Sequence, residues 1–577
     1  MSIPWWREAV FYQIYPRSYK DSNGDGIGDL EGIRSKLEYL SWLGVDALWI
    51  SPFFPSPMKD FGYDVADYRA VDPRFGTMDD CIALVKAAKA RGLKIILDLV
   101  ANHSSDEHQW FIEARAAKQS AHHDWYIWSP RQRGIPNNWK AIFELKTAWH
   151  PNEQTDEYYL GTFTKHQPEF DWRNPGVREE FYDIMLFWYG LGVDGFRLDV
   201  ATAYAKDPEL RSNPLSFVAV PDFFQRHIHD RNHPDYHGIF KEMRSVADAK
   251  ASEKPGASLP GQRVLIGEPH GQSLELSASC YGYNDDELHL AFNFDFLDQK
   301  WDAGAFRQAA EAWYRALLEH GWPSLVLSNH DKPRHIWRYR SADKELTLER
   351  AKVAAAMLLC LKGSPFLYYG EEIGMNCHRL ARKDLRDPLG INTWPLGFLG
   401  RDPSRRPMQW DAGDDAGFGS AQPWLPFDPE WRACNVAAQR GDPDSLLEWY
   451  RALLTLRRAS TALRRGSLRF IQGPKGLLAW ERILPAEAPA EGSEYAAADR
   501  SECETAHGSE HATADREPVS SSVIRVFLNF RSEPIKIQLD EPFKVLISNR
   551  RKNSVHVQPG SLVLEASEAL IGESTSL

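Results

Sequence analysis

Four clusters of polar residues follow short apolar runs in this chain of 577 residues. Asp98, Asn102 and His103 close the run LKIILDLVANH, and Arg197 and Asp199 close VDGFRLDV. Glu268 follows Val264 to Gly267, and Asn329, His330 and Asp331 follow Ser324 to Ser328. Burying so many charges is costly unless a site uses them. The chemistry that fits is glycoside transfer. A retaining glycosidase needs one ionised carboxylate as nucleophile and one protonated carboxyl as acid. Arg197 lies two residues before Asp199, so strand alternation places both on one face, and the cation favours the ionised Asp199 nucleophile. Glu268 has no cation beside it in sequence, so burial would raise its pKa, as a general acid requires. Asp331 would be a third carboxylate, stabilising the oxocarbenium-like charge or gripping a sugar hydroxyl. His103 and His330 would donate to hydroxyls of the same ring.

Such residues need a frame that aims several strand ends at one point. The first 370 or so residues supply eight strand patterns: Phe11 to Pro16, Val45 to Ile50, Leu93 to Val100, Val193 to Asp199, Arg263 to Gly267, His289 to Phe296, Ser324 to Ser328 and Pro365 to Tyr369. Helical patterns separate most of them, including Glu31 to Trp42, Asp79 to Ala90, Pro175 to Tyr189, Phe306 to Glu319 and Leu346 to Leu361. Parallel strands joined by helical crossovers, eight times over, predict a (β/α)8 barrel, whose catalytic side chains project from the C-terminal strand ends. The expected layout is an α/β TIM barrel over 1–101 and 171–465, with a small irregular domain inserted at 102–170. An antiparallel β domain is expected over 466–577. Within it, 485–520 is rich in Ala, Glu and Ser and reads as a mobile loop, because it cannot bury enough apolar area to order itself.

Composition narrows the partners. Lys plus Arg is 68 and Asp plus Glu is 80, a net charge of −12, which disfavours general binding to nucleic acid or anionic membrane. No apolar run is long enough to span a bilayer, and the N-terminus lacks a signal pattern. The six cysteines are scattered without a C-x-x-C pair, so a reduced cytoplasmic protein is expected.

The motifs DLVANH (Asp98 to His103), GFRLDV (Gly195 to Val200), IGEP (Ile266 to Pro269) and SNHD (Ser328 to Asp331) resemble those of the α-amylase superfamily, glycoside hydrolase family 13, over nearly the whole chain. YQIYPRSY, GYDVADY, QPEFDW, FLYYGEEIGM and RDPSRRPMQWD resemble its oligo-1,6-glucosidase and α-glucosidase branch. The resemblance implies Asp199 as nucleophile, Glu268 as acid/base and Asp331 as transition-state stabiliser. It also implies that Tyr63, Asp64, His103, Arg197, His330 and Arg401 hold the glucose, with Arg401 pairing with Asp64 across the closed end of a pocket. The implied activity is exo-release of glucose from short α-glucosides, with transglucosylation or α-1,6 specificity as variants. Val200, after the nucleophile, is similar to branch members that cut α-1,6 bonds. Pro403 and the segment Pro269-His270-Gly271 depart from the branch pattern and put aglycone preference in question. No R-L-D-R-D motif like that of the sucrose isomerases stands between Glu268 and Asn329. A non-catalytic barrel module, like transporter heavy chains, is disfavoured by the three carboxylates and the missing anchor.

A metal is also expected. Asp21, Asn23, Asp25, Ile27 and Asp29 place oxygen ligands at alternate positions, as calcium loops do, with Ile27 contributing its carbonyl. Similar loops of the branch hold one structural Ca2+. No organic cofactor is suggested.

Overall fold

The computed structural model describes residues 3–574, apart from 145, 218–223, 250–255, 270–272, 395–399, 486–521 and 552–553. The expected loop beyond residue 485 therefore lies outside the described residues, as do His270 and Gly271. Eight strands form the frame: β1 (Phe11–Ile14), β2 (Ala47–Ile50), β3 (Lys94–Leu99), β4 (Gly195–Leu198), β5 (Val264–Gly267), β6 (Leu290–Ala291), β7 (Ser324–Val326) and β8 (Ser364–Tyr368). They pair in parallel in the order β7-β8-β1-β2-β3-β4-β5-β6. Each is buried nearly throughout, because helices cover the outer face and side chains fill the interior. Phe11, Trp49, Ile96, Val264, Ile266, Phe292 and Phe366 pack together as the filling. The outward-facing residues join the large core shared with the helices.

Side chains close the seam between β6 and β7, where no strand ladder runs among the described residues. Ser324 Oγ donates to the carbonyl of Ala291 at 2.5 Å, while the Tyr281 hydroxyl accepts from Ala291 N at 3.1 Å and donates to the Trp322 carbonyl at 2.6 Å. Two crossover helices begin and end close to their sequence signals, whereas the one expected over Phe306 to Glu319 runs from Ala303 to Ala316, starting after its cap at Asp302. Met78–Lys89 starts in a capping box between Thr77 and Asp80. Pro175–Leu191 starts at Asn174 and Pro175 and stops at Gly192, whose φ of 101° is the left-handed stop that glycine adopts most readily. The helix expected over Glu31 to Trp42 is two shorter ones, Leu30–Ser35 and Leu37–Leu43, because Lys36 leaves helical geometry at φ −104°, ψ 7°.

The insertion after β3 has more order than its composition suggests. Helix Gln109–Ala116 leads to an antiparallel sheet of Trp128–Pro130, Glu157–Leu160 and Trp149–Asn152. A bridge between His103 and Glu169 ties it back to the barrel. The C-terminal domain has a six-stranded antiparallel sheet and a two-stranded one. The apolar runs Leu468 to Ile471, Leu477 to Glu481, Val523 to Phe530, Ile535 to Leu539, Phe543 to Ile547 and Leu562 to Leu564 mark six of its strands, and two others, His556–Val557 and Ala569–Ser574, are not marked by such a run. The first is only two residues long. The second contains Gly572, where any Cβ would lie 2.4 Å from the Lys544 carbonyl, so the apolar pattern is broken at the closest approach. Among the described residues no helix is long and apolar enough to cross a membrane, and the five described cysteines are unpaired.

Candidate active site

Four strand ends converge on one guanidinium. β4 carries Arg197 in register with Asp98 of β3 and Ile266 of β5. Gly195 makes this possible: a Cβ there would sit 2.3 Å from the Val264 carbonyl. Arg197 Nη1 donates to Asp98 Oδ1 at 2.8 Å and to Asp199 Oδ1 at 2.6 Å, and Nη2 meets Glu268 Oε2. The guanidinium also lies over the Trp49 ring at 5.1 Å, whose indole N–H donates to Asp98. Arg197 sits beneath the cavity floor, its terminal nitrogens occupied by carboxylates, whereas the expectation put it against the sugar.

Electrostatics follow from this crowding. Three buried carboxylates face one cation. Burial pushes Asp199 up to about 7 and Glu268 up to about 7, with Arg197 pulling both down. The expected asymmetry, a cation beside Asp199 only, is corrected: Arg197 reaches Glu268 in space although not in sequence. With more negative than positive charge, the cluster retains a proton at neutral pH. The chain then turns sharply. Val200 has φ 38° and ψ 43°, a left-handed conformation unusual for a branched residue, and its N–H points at Glu268 Oε2 at 3.3 Å.

Asp331, after β7, differs. Burial would push its carboxyl up, but His330 at 3.5 Å, Arg405 at 2.7 Å and Arg401 at 3.7 Å outweigh this and hold it well below the usual range. Beside it His330 Nδ1 accepts from Gln13 Nε2 at 2.8 Å, and its Nε2 lies 2.8 Å from the Tyr63 hydroxyl, which donates to Asp98 at 3.1 Å. His103 Nε2 lies 2.9 Å from the Tyr63 carbonyl and 3.1 Å from Gln167 Nε2. Burial lowers both imidazoles, His330 to about 3 and His103 to about 4, so both are neutral.

A cavity of about 480 Å³ opens over these groups, a common size for small-ligand sites. Asp199, Glu268, Asp331, Tyr63, His103, His330 and Arg401 all face it. Asp64 does not. Its oxygens accept from Ser56 Oγ at 2.8 Å, Lys59 N at 2.7 Å and Asp60 N at 3.1 Å, and it is fully buried in its own loop. Asp60 takes the place expected of Asp64. It faces the cavity and meets Arg401 Nη2 at 2.6 Å, and the same Nη2 donates to Asp387 Oδ1 at 2.7 Å while Nε donates to it at 3.0 Å. Gly62, at φ +109°, separates the two aspartates and turns them to opposite sides. Asp60, Gln167, Arg405 and the insertion's Phe143 and Phe163 were not expected from sequence. The usable signals were the second aspartate four residues before Asp64 and the motifs QPEFDW and RDPSRRPMQWD, which contain Gln167 and Arg405.

In the metal loop, Asp21 Oδ1 accepts from Gly24 N at 2.7 Å, Asp21 Oδ2 from Gly26 N at 2.9 Å, and Asp25 Oδ1 from Ile27 N at 2.8 Å. Gly24 and Gly26 have φ of 83° and 90°. The donor set is all oxygen, which suits a hard cation such as Ca2+, but Asp29 is turned to the helix Leu30–Ser35, whose Gly32 N it accepts from at 2.6 Å, and to Ser22 N at 2.8 Å, and the three carboxylates are not drawn within 4.8 Å of one another. Elsewhere among the described residues, His378, Asp428 and Glu430 bring possible ligand atoms within 4.8 Å of one another, with Glu430 also held by Lys344.

Residues 13–466 match the family model for the alpha amylase catalytic domain. A probable alpha-glucosidase of Rhizobium meliloti is 41% identical over 491 residues, covering 83% of this chain and 87% of that one. An oligo-1,6-glucosidase of Parageobacillus thermoglucosidasius is 39% identical over 493 residues, 79% of this chain and 84% of that one. Among solved structures, the alpha-glucosyl transfer enzyme XgtA superposes with TM-score 0.85 at 36% identity, covering 99% of this chain and all of the other. The trehalulose synthase MutB of Pseudomonas mesoacidophila MX-45 superposes with TM-score 0.84 at 31% identity, with the same coverage.

Proposed function

Because the chain belongs to the α-amylase family and is a glycoside hydrolase of the α-glucosidase and oligo-1,6-glucosidase kind, we propose that Asp199, Glu268 and Asp331 perform a retaining double displacement on a terminal glucose. The observation that carries this reading is the single guanidinium, Arg197, in contact with both Asp199 and Glu268 at adjacent strand ends.

The Asp199 carboxylate attacks the anomeric carbon while Glu268 gives its proton to the glycosidic oxygen. The leaving sugar departs and a glucosyl ester of Asp199 remains. Esterification removes one negative charge, and the charge of Asp199 is one of the influences that raise Glu268. The pKa of Glu268 therefore falls in the ester. It stays ionised beside Arg197 and takes a proton from water as that water attacks the anomeric carbon and frees Asp199. A sugar hydroxyl in place of water gives transglucosylation by the same step. Asp331, held ionised by Arg405 and Arg401, faces the developing positive charge. Tyr63, His103 and His330 hold hydroxyls, and Arg197 orients the carboxylates from below.

Asp60 and Arg401, the latter also held by Asp387, would plug one end of the pocket, which supports removal of single glucose units from non-reducing ends. Val200 at the cavity wall, together with the oligo-1,6-glucosidase relatives, supports activity that includes α-1,6 bonds. The loop from Asp21 to Asp29 would hold one structural Ca2+, which would rigidify the turn without joining the chemistry. The scattered free cysteines support a reducing, cytoplasmic location. We keep the four segments 1–101, 102–170, 171–465 and 466–577 as the domain division. NMR of freshly released product tests the mechanism: α-glucose is expected first, and β-glucose first would overturn it. Asp199→Asn should abolish turnover while the fold survives, and Glu268→Gln should slow both steps by roughly 10²- to 10⁴-fold.

A further inference from the structure

A second cavity, of about 330 Å³, lies at the opposite end of the barrel, where β1, β2 and β3 begin. It shares no lining residue with the site above. Its charges do not balance. Lys94 pairs with Asp194 at 3.2 Å, and Arg458 pairs with Asp46 at 2.9 Å. Arg464 meets Glu8 at 3.1 Å, a carboxylate it shares with Arg465. Among the described residues Arg457 has no carboxylate within 4 Å, although Asp46 and Glu8 attract it from farther off. It is 1% exposed and donates only to the carbonyls of Leu359 at 2.9 Å, Leu463 at 3.4 Å and Gly363 at 2.7 Å, with its Nε–H unpartnered. Leu359 lies at the end of a helix, Lys344–Cys360, whose C-terminal dipole supplies about half a negative charge and so offsets Arg457 only in part. Burial pushes this guanidinium down to about 10. One guanidinium at this cavity thus lacks a full counter-charge and a second shares its own, in a chain whose net charge is −12.

Glu8 and Asp46 also line the cavity, each already paired with an arginine, and the rest of the wall is apolar and open. Trp5 and Leu454 line it. Gly44 and Gly92 lack the side chains that would fill it: a Cβ on Gly92 would meet nothing within 4 Å. Incompletely compensated cations beside an apolar wall fit an anionic head on a compact neutral body.

We propose that this cavity binds a small organic phosphate monoester, its phosphate facing Arg457, Arg458 and Arg464 and its body lying along Trp5 and Leu454. A buried, incompletely compensated guanidinium would gain its missing counter-ion.

Isothermal titration of the full chain with phenyl phosphate and with inorganic phosphate, at constant ionic strength, tests this. Saturable binding is expected, with Kd at or below about 1 mM for phenyl phosphate and weaker for inorganic phosphate, and with a ligand-dependent rise in Tm. The double variant Arg458→Gln/Arg464→Gln should weaken binding at least ~10-fold and leave turnover of p-nitrophenyl α-glucoside unchanged. Arg458 has a side chain 58% exposed, so Arg458→Glu alone gives a second variant whose folding is secure, with the same direction of effect. The proposal fails if no saturable binding is seen up to about 20 mM, if both variants bind like the wild type, or if 1-deoxynojirimycin in the catalytic pocket displaces the phosphate ester.

Discussion

Asp60 and Asp64 stand four residues apart, and the geometry gives them opposite tasks, so replacing each by asparagine should separate binding from stability. Asp60 faces the cavity, and Arg401 keeps Asp387 at 2.7 Å when the Asp60 charge is removed. In the Asp60→Asn variant the amide oxygen can still accept from Arg401, so the fold should survive. What disappears is a charged acceptor for a sugar hydroxyl in a dry site. Hydrogen bonds to charged groups contribute about 1.5–3 kcal/mol. At about 1.36 kcal/mol per tenfold, kcat/KM for p-nitrophenyl α-glucoside should fall roughly 10- to 150-fold, with Tm almost unchanged. Asp64→Asn should behave otherwise. One of its oxygens accepts from Lys59 N and the other from Asp60 N and Ser56 Oγ, so an amide must turn an NH2 toward at least one donor. The cost is about 1–3 kcal/mol of stability, read as a lower Tm, with kcat/KM at 25 °C within about 5-fold of wild type. The reasoning is refuted if Asp64→Asn loses more kcat/KM than Asp60→Asn while keeping its Tm.

The pH profile should follow the shared proton. Glu268, raised to about 7, must be protonated at the first step, so kcat/KM should fall as pH rises above about 7, and Glu268→Gln should lose that limb. Native Glu268 also holds its proton more tightly than the unfolded chain, whose glutamate titrates near 4.5, so stability is lost as pH rises from there through about 7. The Tm of Glu268→Gln relative to wild type should therefore increase across that window, and a flat difference would contradict the buried, raised carboxyl. Chelation should lower Tm and added calcium restore it, and Asp21→Asn/Asp25→Asn should erase the response; an unchanged Tm on chelation makes the loop a plain turn. Isomaltose should be cleaved with kcat/KM within about 100-fold of maltose, and a larger preference for maltose removes the α-1,6 reading, since a change of one methyl at the pocket wall accounts for only ~1–3 kcal/mol.

Most of the eight strands were legible because each is a short apolar run buried on both faces, and the polar residues at their ends stood out against that background; the run expected over His289 to Phe296 is a strand only at Leu290–Ala291, because Asn293 caps a helical turn from Phe294 to Leu297. Asp199, Glu268 and Asp331 were found for this reason. Their electrostatics were read less well. Arg197 reaches Asp98, Asp199 and Glu268 because strands separated by long crossovers lie side by side, and separation in sequence gives no hint of that contact. Loop residues were harder still. Asp60 carries no periodic signal, and its direction depends on the turn at Gly62. Phe143 and Phe163 sit in an insertion whose aromatics pack in no regular order, so nothing marked them as wall rather than core. The helix expected to be continuous through Lys36 has an unbroken apolar stripe, and only the local dihedral reveals the break.

The roof of the pocket has its own apolar cluster, separate from the large core. Phe143 and Phe163 of the insertion meet Val200 and Ala203 after β4, with Leu389 packed against them. These residues are distant in the chain and few in number. Such a cluster gathers late in folding, after the barrel has brought its parts together, and it opens with a smaller free energy than the strands below. On heating, this roof should loosen first, while Phe111, Tyr126 and Phe170 keep the rest of the insertion in the large core. Loss of activity would then precede the main unfolding transition, and an occupied glucose site, by bracing the roof, would bring the two events together.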